Sequence, residues 1–230
     1  MTTAYTDVQE PLVAVEGVYV PQEDSRLLVD VMADMDLARG RDVVDLCTGS
    51  GVVAVGAADQ GAASVTALDI CPRAVRCART NALAAGVSVD VHLGSWARAA
   101  EFGPFDLVTC NPPYVPHDPG GCDPLPAYVG PARAWDAGYD GRLILDPLCE
   151  TAPQLLDNGG TLLLVQSEFA GARETLGALA SVGLDAEIVA RQWIPFGPVL
   201  SSRAQWLEET GRLEPGRREE ELLVIRADKP

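Results

Sequence analysis

Lysine is almost missing from this chain: of 17 cationic residues only Lys229 is a lysine, and 33 acidic residues bring the formal charge to -16. No general basic face is available for phosphates, so non-specific binding to duplex nucleic acid is disfavoured. Long apolar runs are missing too. No stretch reaches the ~18 residues of a membrane span. The opening MTTAYTDVQEP carries acids where a secretory signal has a basic and then an apolar segment, so a soluble cytoplasmic protein is expected. Histidine is scarce, with only His92 and His117, and the six cysteines (Cys47, Cys71, Cys77, Cys110, Cys122, Cys149) never form a C-x-x-C pair. Neither a zinc site nor a disulfide framework is expected, and the thiols read as buried apolar groups. There is no repeat of 20 to 50 residues and no low-complexity block.

What is present is the alternation of an α/β protein. Strands are predicted at Asp42–Leu46, Ser64–Leu68, Val87–Leu93, Phe105–Cys110, Thr161–Gln166, Leu184–Trp193 and Glu219–Ala227. Between them, helices are predicted at Val52–Asp59, Pro72–Ala85, Leu143–Leu156 and Gly171–Val182. Ahead of the first strand, Gln22–Met35 carries a helical stripe of Leu27, Leu28, Val31 and Met35. The chain is expected to end strand to strand, without a helix between. Uninterrupted apolar strands separated by helices imply a doubly wound, seven-stranded, mostly parallel sheet with an antiparallel C-terminal strand. One domain over 1–230 is expected, with 1–40 an N-terminal segment and helix over the ligand edge and 41–230 the catalytic sheet. Ligands should bind at the carboxyl ends of the strands.

At the first strand end the run VVDLCTGSG places Asp45 before a tight turn containing Gly49 and Gly51. It is not a G-x-x-x-x-G-K-[ST] phosphate cradle, and Ala54 leaves G-x-G-x-x-G incomplete. The second strand ends at Asp69, followed by Ile70, where an acid can accept hydrogen bonds from ribose hydroxyls. Either aspartate alone can equally cap a loop. Together with the glycines they resemble the class I S-adenosylmethionine-dependent methyltransferases, whose D/E-x-x-x-G-x-G turn holds the amino acid part of the cofactor. Cys47 stands where many members have the first glycine. Ser95 and Trp96 occupy positions where such enzymes carry an acid for the adenine amino group; Trp96 reads equally as a core aromatic.

The fourth strand runs directly into Asn111-Pro112-Pro113-Tyr114. Two prolines fix the backbone and supply no amide donors, so this segment offers oxygen acceptors. If the Asn111 oxygen and the Pro112 carbonyl accept both hydrogens of a planar NH2, its nitrogen is aimed at a methyl donor without a catalytic base. Tyr114 can then cover the planar face. In the family resembled, this tetrapeptide marks methylation of planar nitrogens: glutamine amides, adenine amino groups and sometimes other amines.

Two further stretches, Val18-Tyr19-Val20-Pro21-Gln22-Glu23-Asp24-Ser25 and Ala134-Trp135-Asp136-Ala137-Gly138-Tyr139-Asp140-Gly141-Arg142, are similar to the HemK/PrmC-type protein glutamine methyltransferases. The likeness is to the short branch without an N-terminal helical domain, with Ala137 in place of a glycine. The resemblance implies that Ser25 contacts the cofactor's carboxylate end, Asp45 its amino group and Asp69 its ribose, with Cys47, Gly49, Gly51, Ile70, Ser95, Trp96 and Asn111 completing the cofactor side. It implies Asn111, Pro112, Pro113, Tyr114 and Trp135 on the substrate side; Trp135 reads equally as a plug beneath the loop. The implied partner is a protein carrying an exposed glutamine, such as a peptide chain release factor, and some members of this branch use an activating subunit. His117 reads as a solvent-exposed loop residue, and the segment Trp193–Pro198 either covers the substrate entrance or forms a simple edge. Three other functions remain: a small-molecule or peptide-tailoring N-methyltransferase, an adenine amino methyltransferase on nucleic acid, which the charge opposes, and a non-catalytic cofactor-binding scaffold.

Overall fold

The computed structural model describes residues 17–120, 125 and 129–230. The opening residues, Cys122 and part of the Val115–Arg133 loop lie outside them. Seven strands are present: β1 (Asp42–Leu46), β2 (Ser64–Asp69), β3 (Asp90–Leu93), β4 (Phe105–Cys110), β5 (Leu156–Ser167), β6 (Asp185–Pro195) and β7 (Glu219–Asp228). They form one sheet in the order β3-β2-β1-β4-β5-β7-β6. The first five pair in parallel, and β7 runs antiparallel to both β5 and β6. Among the described residues six α-helices accompany them: α1 (Glu23–Asp34), α2 (Val52–Asp59), α3 (Pro72–Ala84), α4 (Leu145–Leu155), α5 (Ala172–Ser181) and α6 (Pro198–Glu209).

Side chains alternate across a strand, and both faces of this sheet are covered. Val43, Leu107, Leu163, Val165 and Val224 bury one face against Leu28, Met32, Ala57 and Val75 from α1, α2 and α3. Val44, Leu46, Val108, Leu162, Leu164 and Ile225 bury the other against Leu148, Leu179, Leu200 and Leu207 from α4, α5 and α6. The central strands therefore read as continuous apolar runs because neither face meets water.

The structure corrects several expected boundaries. Pairing of β3 with β2 begins at Asp90 opposite Thr66, so Val87–Val89 has no partner strand and stays irregular. The strand expected at Thr161 starts at Leu156, which pairs with Phe105 ahead of a register shift. The ending is not strand to strand: α6 intervenes between β6 and β7. Its start was signalled by Gly197 and Pro198, a helix-opening pair, and its buried stripe is Val199, Leu200, Arg203, Ala204 and Leu207. Helix α1 does not lie over the ligand edge along its length. Leu28, Val31 and Met32 pack on the sheet face, and only the first turn, with Asp24 and Ser25, reaches the strand ends.

Glu220 on β7 is buried, with an oxygen that has no partner among the described residues. Burial pushes its carboxyl from an ordinary 4.5 up to about 7, against a Ser167 hydrogen bond and with Asp24 and Glu168 adding repulsion. A raised folded-state value means the native protein holds a proton that the unfolded chain has released, so stability falls as pH rises from 4.5 to about 7. Glu220→Gln should therefore raise the melting temperature at pH 8, by the equivalent of about 3 kcal/mol at most, at 1.36 kcal/mol per pKa unit. The gain should vanish near pH 4, as thermal scans across that range will read.

Candidate active site

A cavity of about 660 Å³ opens at the carboxyl ends of β1 to β4, within the range of small-molecule sites. Asp45, at the end of β1, is almost fully buried. Its Oδ2 accepts from the Thr48 hydroxyl at 2.6 Å and its Oδ1 from the Thr109 hydroxyl at 2.8 Å. Burial raises its carboxyl to about 6 although both hydroxyls favour the charged form. The turn that follows bends through three left-handed residues: Cys47 at φ 56°, Gly49 at 55° and Gly51 at 84°. Cys47 thus adopts the backbone that glycine favours, at a cost of roughly 1–2 kcal/mol for a side-chain-bearing residue. Gly51 is required for a second reason: a Cβ there would lie 2.9 Å from Ala78 Cβ on α3. Asn81 of α3 fastens the turn by donating to the Ser50 carbonyl at 2.8 Å.

Asp69, at the end of β2, accepts from the Gly49 amide at 2.9 Å and the Cys71 amide at 2.8 Å. These bonds fix the carboxylate beside the glycine turn and leave it further acceptor capacity. Ile70, 61% exposed, and Leu143, 65% exposed, are apolar side chains on the cavity wall. Ser95 and Trp96 also line the cavity after β3, with Trp96 half-buried against the core.

At the end of β4 the prolines leave two oxygens in reserve. No described residue donates to Asn111 Oδ1 or to the Pro112 carbonyl. Asn111 Nδ2 donates to Ser25 Oγ at 3.1 Å, so the structure places the Ser25 hydroxyl on Asn111. Tyr114 is not a free lid. It is buried, its hydroxyl donates to Asp24 Oδ2 at 3.0 Å, and burial together with the Asp24 charge holds its pKa well above the ordinary value. The sequence reading missed Asp24. The signal was its spacing from Leu28 and Val31, which puts an acid on the buried stripe of α1.

Residues 115–117 pair with 135–138: Val115 N donates to Trp135 O at 2.9 Å, Ala137 N to Val115 O at 3.0 Å, and His117 N to Gly138 O at 2.7 Å. This brings Trp135 to the cavity wall beside Asn111, Pro112, Pro113 and Tyr114. Ala137 is fully buried and is not left-handed, so its methyl group fills core space where the resembled branch has glycine. Gly141 has φ 78°, and a Cβ there would collide with the Tyr114 carbonyl. From α6, the buried Arg203 donates to the Pro116 carbonyl and to Asp136 Oδ2 at 3.0 Å, with its guanidinium 4.8 Å from the Trp135 ring centroid. Asp136 also holds the half-exposed His117 at 2.6 Å. Helix α6 therefore locks the paired segments 115–117 and 135–138 together, while Trp193 stands 54% exposed on β6, away from the cavity lining.

A family model described as methyltransferase small domain matches residues 13–120. A protein of Methanocaldococcus jannaschii provisionally named protein N5-glutamine methyltransferase MJ0928 is 34% identical over 179 residues, covering 78% of this chain and 87% of that protein. The chain belongs to the protein glutamine methyltransferase family. A release factor glutamine methyltransferase of Rhodospirillum rubrum is 40% identical over 71% of this chain, but the match spans only 51% of that longer protein. The methyltransferase also matches, at 34% identity over 66% of its chain and 55% of the other, a Streptomyces pristinaespiralis enzyme named 4-amino-L-phenylalanine/4-methylamino-L-phenylalanine methyltransferase. Among solved structures, the E. cuniculi Mtq2-Trm112 complex gives a TM-score of 0.62 at 21% identity, covering 93% of this chain and 99% of that one, which establishes the shared fold.

Substituting Gly141 tests whether the methyltransferase needs its close approach to Tyr114. Gly138 has nearly the same φ, 77°, but a Cβ there meets Leu143 Cβ at an ordinary 3.6 Å. Gly138→Ala should cost about 1 kcal/mol of stability, from backbone strain alone. Gly141→Ala should cost at least about 1–2 kcal/mol more, from the collision. Equal losses in urea denaturation would show that the contact is unimportant.

Proposed function

We propose that this methyltransferase moves a methyl group from S-adenosylmethionine to the side-chain amide nitrogen of a glutamine in a protein, a peptide chain release factor being the candidate, in the cytoplasm. The observation that supports the reading is the pair of oxygens, Asn111 Oδ1 and Pro112 O, that take no hydrogen bond from the described residues and lie at the tip of β4 on the wall of a cavity that the glycine turn and Asp69 also line. The residues present fit the cofactor. Asp69 has acceptor capacity for ribose hydroxyls, Ile70 and Trp96 offer apolar surface to a ring, Ser95 offers a hydrogen bond, and Asp45 with the Cys47–Gly51 turn accommodates the amino acid end.

Bound S-adenosylmethionine supplies an electrophilic sulfonium methyl. An amide nitrogen is a poor nucleophile because its lone pair is delocalised. Asn111 Oδ1 and the Pro112 carbonyl accept its two hydrogens, aim the nitrogen at the donor side and favour the tetrahedral, positively charged transition state; as the nitrogen–carbon bond forms the carbon–sulfur bond breaks, S-adenosylhomocysteine is the leaving group, and the methylated nitrogen gives up one of its two protons to solvent. Orientation of this kind contributes up to about 7–11 kcal/mol. Tyr114 and Trp135 supply the aromatic walls of the acceptor site, and Trp135 Nε1, buried without a partner among the described residues, is a donor in reserve.

The second reading is an amine methyltransferase acting on a small molecule, supported by the Streptomyces relative. The Mtq2 neighbour is named as a complex with Trm112, and an activating subunit belongs to this proposal as a further element. Incubation with labelled cofactor and a release factor separates the substrates. Transfer to the factor, abolished by changing its G-G-Q glutamine to alanine, is expected; label persisting on that mutant contradicts the assignment. Within the enzyme, Asn111→Ala should lower kcat by about a hundredfold or more with little change in cofactor affinity, on the scale of losing one oriented transition-state partner. Asp69→Ala should weaken cofactor binding first, and calorimetry with S-adenosylhomocysteine resolves the two.

A further inference from the structure

We infer that buried Asp24 is a positioning residue that sets the direction of the Asn111 side chain through Ser25, leaving the Asn111 oxygen as the atom offered to the acceptor. The inference rests on the amide-nitrogen reading above and follows from hydrogen-bond polarity. An asparagine side chain can be turned either way about its last bond, and only one orientation presents an acceptor. The other directs an NH2 at the NH2 of the substrate. Asp24 is 5% exposed; its Oδ2 takes the Tyr114 hydroxyl at 3.0 Å, and its Oδ1 takes the Ser25 amide at 2.6 Å and the Ser25 hydroxyl at 3.3 Å. The Ser25 hydroxyl donates its single hydrogen to Asp24 Oδ1. Ser25 Oγ is then left with lone pairs, and its remaining neighbour, Asn111 Nδ2 at 3.1 Å, must donate. Asn111 Oδ1 faces the cavity as a consequence. In Asp24→Asn the chain of directions is no longer forced, because the new amide can donate to Ser25 and release its hydrogen toward Asn111.

NMR of the full chain reads this without any substrate. The Asn111 side-chain NH2 signals, assigned by their loss in Asn111→Asp, should be protected from solvent exchange. Ser25→Ala and Asp24→Asn should each speed that exchange about tenfold or more, and Ser25→Thr should keep it slow. Tyr114→Phe, which removes the other arm of Asp24, should leave it unchanged. Kinetics with a glutamine peptide should show kcat lower by on the order of ten- to a hundredfold in Ser25→Ala and Asp24→Asn. KM for the peptide should stay within about twofold in Asp24→Asn, because the buried carboxyl is taken up by Ser25 and Tyr114. The double variant should be no worse than the poorer single one, as expected when one residue acts through the other, and Ser25→Thr should recover activity. Unchanged Asn111 exchange in both variants, additive losses, or an equal effect of Tyr114→Phe would overturn the inference, as would a Ser25→Ala variant that loses cofactor affinity with Asn111 exchange intact. If Asp24→Asn fails to fold, Ser25→Ala carries the test by removing a single hydroxyl. If the wild-type protein transfers no methyl to glutamine, the substrate reading fails, and the exchange measurement still decides the role of Asp24.

Discussion

Two prolines directly after Asn111 at the end of a buried parallel strand leave that stretch of backbone with acceptors and no donors, and several distant parts of the molecule hold those acceptors still. Strand β4 is central, paired on both sides by β1 and β5, so its end cannot fray without unpairing two neighbours. Beyond it, three segments distant in sequence converge on Asn111, Tyr114 and Pro116: the first turn of α1 through Asp24 and Ser25, the glycine at 141 through its approach to the Tyr114 carbonyl, and α6 through Arg203 on the Pro116 carbonyl. Proline supplies rigidity locally, and these long-range contacts decide where the rigid segment points.

The turn after β1 is built on a different principle. It approaches α3 so closely that it needs left-handed backbone and no side chain at Gly51. Asp45 and Asp69 serve the turn before they serve any ligand: Asp45 is tied to Thr48 and Thr109, and Asp69 to the Gly49 and Cys71 amides. Preorganised carboxylates lose little conformational freedom when a ligand arrives, which is how a modest number of polar groups confers orientation.

Much of this was legible in the chain itself, for identifiable reasons. Strands buried on both faces are written as unbroken apolar runs, so β1, β2, β4 and β5 could be read without a partner in view. The turn glycines and the double proline are legible because each imposes a backbone state that few other residues allow. Helix α6 was hidden because its buried stripe includes Arg203, a charged residue whose burial makes sense only once Asp136 and the Pro116 carbonyl are brought beside it. Asp24 was hidden for the same reason: its partner Tyr114 lies 90 residues away. The pairing of the Ser25 hydroxyl with Asn111, 86 residues apart, is one that no local pattern encodes.

Under the proposed function, a planar NH2 is held by two oxygens facing the methyl donor. A crystal structure of the protein with S-adenosylhomocysteine and a glutamine-containing peptide measures it directly. The glutamine Nε2 is expected within hydrogen-bond distance, about 2.7–3.2 Å, of both Asn111 Oδ1 and the Pro112 carbonyl, with the cofactor sulfur on the Asp69 side. A glutamine amide bound elsewhere, or one whose oxygen rather than nitrogen meets Asn111, would contradict it.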